Sequence, residues 1–284
     1  MGQIEVVPVS GGVGVEVQNI NIKNGLDAVG FNELRAAFVE HGLIFLRDQD
    51  ITPDEHIAFA ERWGDININR FFPRLDGYDQ IATVTKEPDQ TTNIGGGWHT
   101  DHSYDHVPAM GSILIARETP PVGGDTLFAS MYLAYDALSE GMKAMLADVK
   151  TWSVGNNFKN NGGIDRFEVY KGNTQMANKV RNPGNLVTEA AHPLFRTHPE
   201  TGRKGLYIGS HAQTLEGFHE AEAEPIMAFL REHAVHPEFT CRFRWEPGSL
   251  ALWDNRCVQH HAVADYAGQR RRMHRITICG DKPF

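Results

Sequence analysis

The residues most able to do chemistry form a short run, Trp98-His99-Thr100-Asp101, just after the glycines Gly95-Gly96-Gly97. On an extended segment the side chains at i and i+2 share one face, so the His99 imidazole and the Asp101 carboxylate can converge on one metal ion. A lone His-x-Asp is weak evidence, because such a pair is more often a surface hydrogen bond. It gains weight only from a third ligand elsewhere, and His260 and His261 are the candidates. Neighbours on a strand face opposite sides, so only one of them can join the pair, and spacing alone does not choose. Two histidines and one carboxylate leave three adjacent positions open on Fe(II), enough for a chelating co-substrate and dioxygen. Most of the 14 histidines have blander roles. His102 and His106 sit at i, i+4, but Ser103 stands where a zinc-protease helix needs glutamate.

Length and charge narrow the classes. A chain of 284 residues with 41% hydrophobic and 10% aromatic residues can bury a large core, as one β-rich domain spanning 1–284. A net charge of −9 argues against a nucleic-acid partner, so an anionic ligand must be met by local arginines. Three cysteines, Cys241, Cys257 and Cys279, make a disulfide framework unlikely to be needed and point to a reducing, cytoplasmic setting. No signal peptide or membrane-spanning run is evident, and no membrane partner is expected. Met1-Gly2 invites myristoylation, but Val6 occupies the place of the required Ser or Thr.

The elements that must position these groups follow from periodicity. Ile4 to Ile22 reads as strand, turn and strand around Gly11-Gly12 and Gly14. Phe31 to His41 has helical spacing, Leu43 to Leu46 is a compact apolar strand, and Thr52-Pro53-Asp54-Glu55 is a capping box opening a helix to about Trp63. Strands are expected at Gln80 to Thr85, Met110 to Ala116 and Thr126 to Ala129. Two short helices then break near Ser139. After an Asn/Gly-rich stretch at 156–184, either a lid or an inert surface loop, short strands are expected near 192–196, 206–209, 240–245, 249–253 and 273–279, with a helix over 220–234. Many short strands between Gly/Pro turns favour a jelly roll or sandwich over a parallel sheet. No phosphate loop, dinucleotide fingerprint or internal repeat is present.

Trp98-His99-Thr100-Asp101, Gly123-Gly124-Asp125-Thr126, Trp253-Asp254-Asn255-Arg256 through His260, Gln269-Arg270-Arg271 and Met273-His274-Arg275 together resemble the taurine dioxygenase family of Fe(II)- and 2-oxoglutarate-dependent oxygenases. Phe45-Leu46-Arg47-Asp48-Gln49 and Gly280-Asp281-Lys282-Pro283-Phe284 extend the likeness over nearly the whole chain. The resemblance implies an α+β, mainly β fold: a double-stranded β-helix (jelly-roll) core flanked by helices. It implies His99, Asp101 and His260 as ligands of Fe(II), selecting His260 because it stands four residues after Arg256. It implies Thr126 and Arg271 as the holders of 2-oxoglutarate, with O2 as second co-substrate, Arg275 as the binder of a small anionic substrate, and a homo-oligomer.

Three positions depart from the family's taurine enzyme. Asn69 stands where that enzyme has histidine and Phe72 where it has tyrosine, and Ala212 falls where an aromatic pocket wall is expected. Losing those donors turns the expectation from taurine towards another sulfonate, a sulfate ester or a carboxylate. The expected activity is hydroxylation of that anion with release of succinate and CO2. A non-catalytic jelly-roll binding module and a metal-dependent hydrolase using the same ligands are the alternatives; the hydrolase leaves Thr126 with Arg271 unexplained.

Overall fold

The computed structural model describes residues 4–23, 25–91, 95–155 and 188–284; the expected lid at 156–184 lies outside them. The chain opens with a hairpin, β1 (Glu5–Pro8) and β2 (Val15–Gln18), then α1 (Ala28–His41), β3 (Leu43–Leu46) and α2 (Pro53–Glu61). The short β4 (Ile66–Asn67) and β5 (Arg74–Leu75) lead into β6 (Tyr78–Lys86), β7 (Gly111–Glu118) and β8 (Thr126–Ser130). The helices α3 (Met131–Asp136) and α4 (Glu140–Leu146) follow. Next come β9 (Lys150–Val154), β10 (Glu189–Pro193), β11 (Phe195–Thr197), β12 (Lys204–Leu206) and β13 (Ala212–Leu215). The chain ends with α5 (Glu220–Ala234), β14 (Thr240–Phe243), β15 (Leu250–Asp254), β16 (Val258–Ala262) and β17 (Arg271–Ile278).

Local chemistry sets the helix starts. Thr52 Oγ1 accepts from the Glu55 amide at 3.2 Å while the Glu55 carboxylate accepts from the Thr52 amide at 2.7 Å, the capping box read from the sequence. The first helix begins earlier than its apolar spacing indicates, because Asp27 caps it by accepting from the Gly30 amide at 2.8 Å. Ser139 caps α4 through the Met142 amide.

Two facing sheets make the jelly roll. The large sheet runs β1-β2-β3-β15-β7-β17-β6-β5, with β4 paired to β17; the small one runs β14-β8-β16. Alternation along the strands sorts the side chains. Leu43 and Phe45 of β3, Leu114 of β7, Trp253 of β15 and Met273 of β17 point inwards, against Phe128, Phe243 and Val258 of the small sheet. The intervening Ile44, Leu46, Ile113, Ile115, Leu252 and Ile276 point outwards and pack on Phe31, Leu34, Phe38 and Trp63 from the first two helices. On β17 the same alternation sends Arg271, Met273 and Arg275 inwards and His274 outwards. The fold is thus a jelly-roll core flanked by helices.

Five strands were not legible in the sequence: the two-residue β4 and β5, and β9, β13 and β16. In β9 and β16 polar residues interrupt the apolar pattern, and only pairing across the sheet makes them strands.

The outer face carries a charge-sensitive contact. His56 of α2 is fully buried, and burial, followed by the Arg117 guanidinium and the neighbouring His274, lowers its pKa to about 3. Its unfolded-state value is near 6.5, so the unfolded chain binds the proton first and stability is lost as pH falls from there towards about 3. Denaturant unfolding across that window is expected to show a steep pH slope that His56→Met makes shallower. An unaltered slope would assign the acid sensitivity to other groups.

Candidate active site

The site is built on one backbone contact. His99 forms an isolated antiparallel bridge with His260: the His99 amide donates to the His260 carbonyl at 3.1 Å, and the His260 amide to the His99 carbonyl at 2.9 Å. Directly opposite residues project to the same face, so the two imidazoles lie with centroids 4.1 Å apart. The pleat also makes the choice that spacing left open. His260 points into the core between Trp253 and Phe128, with centroids at 4.6 and 6.3 Å, whereas His261 points the other way against Trp98.

Asp101 arrives by a different route from the extended i, i+2 geometry expected from its spacing. The chain leaves the bridge at Thr100 and turns at 101–104, with His102 at a φ of 58°; the Asp105 amide closes the turn on the His102 carbonyl at 2.8 Å. The side chain of Asn255 holds this corner. Its Oδ1 accepts from the Asp101 amide at 3.3 Å and from Trp253 Nε1 at 3.0 Å, while Thr100 Oγ1 donates to the Asn255 carbonyl at 2.7 Å.

The carboxylate of Asp101 is divided between two jobs. Oδ2 accepts from Ser112 Oγ at 3.0 Å and pairs with Arg275 Nη2 at 2.9 Å. Oδ1 faces the imidazoles, 3.8 Å from His99 Nε2 and 3.9 Å from His260 Nε2. Burial alone would raise the Asp101 pKa, but the Arg275 guanidinium and the imidazoles of His260 and His99 outweigh it and hold the carboxyl well below its usual range. Burial, reinforced by His99, pushes His260 well below the ordinary imidazole value and keeps it neutral. His99 Nδ1 lies 2.8 Å from the Gly97 carbonyl, so a proton there leaves the Nε2 lone pair facing Asp101. The ligand atoms of His99, Asp101 and His260 all lie within 4.8 Å of one another: two neutral nitrogens and one anionic oxygen, a donor set that fits a divalent metal.

A second cluster, His198, Asp254 and Cys257, is equally compact but is not a metal site. His198 Nδ1 accepts from the Glu200 and Thr201 amides, both at 3.2 Å, so its proton is on Nε2 and donates to Asp254 Oδ2 at 3.0 Å. Neither nitrogen keeps a lone pair for a metal. Arg256 occupies the remainder of Asp254 through Nε at 2.8 Å and Nη2 at 2.7 Å.

A second group of residues has donors that suit an anion. Thr126 opens β8, and its Oγ1 accepts from Trp245 Nε1 at 2.9 Å, which leaves the hydroxyl proton to donate elsewhere. Arg271 opens β17 with its Cζ 5.7 Å from the Trp245 ring centroid. Its Nε and Nη2 are buried without a partner among the described residues, and burial lowers its pKa. A Cβ on Gly124, where φ is +72°, would come within 3.2 Å of the Arg271 Cδ. Orphaned guanidinium donors beside a free hydroxyl proton fit a carboxylate.

A model of the taurine catabolism dioxygenase TauD, TfdA family matches residues 5–277. The chain belongs to this family. The α-ketoglutarate-dependent sulfate ester dioxygenase of Pseudomonas putida is 32% identical over 282 residues, covering 99% of this chain and 91% of that protein. The (S)-phenoxypropionate/α-ketoglutarate-dioxygenase of Sphingobium herbicidovorans is 31% identical, covering 98% and 95%. The crystal structure of a taurine dioxygenase from Burkholderia xenovorans superposes with a TM-score of 0.82 at 31% identity, over 99% of this chain and 92% of that one. The protein is a 2-oxoglutarate (α-ketoglutarate)-dependent dioxygenase, using O2 and a metal, which displaces the binding-module and hydrolase alternatives.

On the open side of the dioxygenase site, Arg275 keeps a buried Nε with no partner among the described residues, and its Cζ lies 5.8 Å from the Phe72 ring centroid. Its contact with Asp101 widens the role that the sequence indicates. Asn69 is buried, and its Oδ1 accepts from the Phe71 and Phe72 amides, both at 2.8 Å, so it shapes the loop that presents Phe72. Ala212 is no pocket wall: it packs with Leu215 and Met227 in the outer helical cluster. Its neighbour His211 faces the site, 6.0 Å from the His99 ring and 4.9 Å from Tyr104, with its Nδ1 3.0 Å from Ser103 Oγ. One histidine among fourteen carried no signal for this in the sequence, and Asn255 was marked there only as part of the Trp-Asp-Asn-Arg motif.

Asn255→Ala removes the acceptor shared by Trp253 and Asp101. The expected result is a folded enzyme whose metal affinity is about 10–100-fold weaker, measured by anaerobic metal titration. Unchanged affinity would mean that the turn holds Asp101 unaided.

Proposed function

We propose that this dioxygenase hydroxylates a small anionic organic substrate (a sulfonate, sulfate ester or carboxylate), releasing succinate and CO2, with Fe(II) held by His99, Asp101 and His260. The observation that carries the reading is the inner face of β17. Arg271 and Arg275 lie four residues apart on that face, about 13 Å along an extended strand. One has orphaned donors in the pocket of Thr126 and Trp245, and the other stands beside the metal ligands. Two separate cations suit two separate anions: the distal carboxylate of 2-oxoglutarate at Arg271, and the substrate's head group at Arg275.

The bound metal and 2-oxoglutarate would supply O2 activation and the oxidising equivalents. The protein's part is to place and to exclude. Thr126 and Arg271 would fix the co-substrate's far end, Trp245 directs the Thr126 proton towards it, and Ser112 with Arg275 holds Asp101 ionised. Arg275 would bind the substrate anion through donors not used by Asp101, with Phe72 as an apolar wall and Asn69 setting that wall's position. Phe72 has no hydroxyl to offer, which favours a substrate whose selectivity comes from its anion and its apolar body. Two relatives whose names state a sulfate ester and a phenoxypropionate as substrates support that class. The reading treats residues 1–284 as one catalytic domain acting in the cytoplasm as a homo-oligomer. No described helix is long and apolar enough to cross a membrane.

Anaerobic addition of Fe(II) and 2-oxoglutarate is expected to give a visible metal-to-ligand charge-transfer band that His99→Ala abolishes. A panel of sulfonates, sulfate esters and carboxylates should then contain members that accelerate succinate release. In Arg275→Gln, whose amide can still donate to Asp101, the band should persist while that acceleration drops by about 100-fold, the cost of removing a charge-assisted contact made to the reacting substrate. Absence of the band in the unmodified enzyme, or acceleration undiminished in Arg275→Gln, would overturn the assignment.

A further inference from the structure

A second buried cation stands beside Arg271. Lys86 ends β6, and in the antiparallel register with β17 it stands directly opposite Arg271. Opposed residues share a face, so both side chains enter the jelly roll at the same level. Both are buried, with 7% and 6% of their surface exposed. Lys86 Nζ lies 4.7 Å from the centroid of the Tyr266 ring, and a Cβ on Gly124 would meet both that ring, at 3.3 Å, and the Arg271 Cδ, at 3.2 Å, so the two cations flank one tyrosine.

Among the described residues, neither cation has a carboxylate partner. Lys86 Nζ, Arg271 Nε and Arg271 Nη2 are all buried without a hydrogen-bond partner among the described residues. The nearby carboxylates are engaged by other arginines: Glu87 and Glu118 pair with Arg270, and Asp125 and Asp265 pair with Arg242. Like charges directly opposite each other on a sheet destabilise it, and an unpaired buried ammonium costs more still. Three orphaned donors on two adjacent cations describe a seat for an anion richer in acceptors than one guanidinium fork requires.

We propose that Lys86 is a second cationic anchor for the distal carboxylate of 2-oxoglutarate, acting beside Arg271 and Thr126. The inference rests on the co-substrate placement proposed above. It adds that the carboxylate's two oxygens are shared: the Arg271 fork and the Thr126 hydroxyl on one side, the Lys86 ammonium on the other. In the free enzyme the Tyr266 ring face shields Lys86, a weak substitute for an anion.

The test is a binding titration of the anaerobic Fe(II)-loaded enzyme, by calorimetry and by the charge-transfer band. Two ligands are compared: 2-oxoglutarate, and 2-oxopentanoate, which has the same chain length but ends in a methyl group. Lys86→Met is expected to raise the Kd for 2-oxoglutarate by about tenfold or more while leaving that for 2-oxopentanoate within about twofold. Lys86→Arg should recover most of the loss. Without ligand, Lys86→Met should melt at the same temperature as the parent or higher, because an unpaired buried charge has gone, and the stabilisation by added 2-oxoglutarate should shrink. Unchanged 2-oxoglutarate affinity in Lys86→Met would overturn the proposal, as would equal loss of both ligands, which would mark Lys86 as a structural prop. Arg271→Met separates the two levels of inference. If it leaves 2-oxoglutarate affinity intact, the pocket assignment itself fails; if it weakens binding while Lys86→Met does not, only the role of Lys86 falls.

Discussion

The active site depends on two backbone hydrogen bonds between His99 and His260. They bring together segments remote in the chain and put both imidazoles on one face, because opposed residues in an antiparallel pair cannot do otherwise. Further pairing from the Ala262 amide to the Gly95 carbonyl, at 3.0 Å, extends this edge over the glycine run. Glycine suits that position because its φ is +82°, a conformation that side chains disfavour. Once the bridge is made, Asp101 has only to turn inwards. Ser112 and Arg275 then occupy the oxygen that faces away from the imidazoles.

The Trp-Asp-Asn-Arg segment braces that bridge from behind. Trp253 covers His260, Asn255 holds the Asp101 corner, and Asp254 with Arg256 forms a fully buried ion pair. The ion pair reaches outwards through Glu200 and His198, which ties the end of β15 to the turn between β11 and β12. Burial opposes ionisation of Asp254, but Arg256 and the hydrogen bond from His198 hold it well below the usual carboxylate range. Breaking one partner of such a pair typically costs about 3–5 kcal/mol, since the other charge is left buried alone. The motif therefore contributes rigidity to His99, Asp101 and His260 without joining their cluster.

An acidic protein that works on anions has to concentrate its cations. The net charge is −9, yet the inner face of β17 and the facing end of β6 carry Arg271, Arg275 and Lys86 in buried surroundings. In a low-dielectric interior a buried cation attracts an anion more strongly than a surface lysine does. Trp245, Tyr266 and Phe72 line them with aromatic rings. Rings of this kind keep water out and leave the polar donors few and directed.

The motifs, in their order along the chain, were enough to carry the family resemblance that nominates His99, Asp101, His260, Thr126, Arg271 and Arg275. That resemblance, with many short strands between Gly/Pro turns, also implied the jelly roll. Strand alternation likewise made plain that His260 and His261 could not both be ligands. Only the tertiary structure decided the rest. Which histidine faces inwards depended on the register of β16 against β8, a long-range pairing that no local window contains. Asp101 reaches the site through a turn held by Asn255, and Arg275 touches Asp101 because β17 packs against β7. His211 and Lys86 had no motif to mark them. Their significance comes from what stands opposite each of them in space: the His99 ring in one case, and in the other an arginine with no carboxylate partner among the described residues.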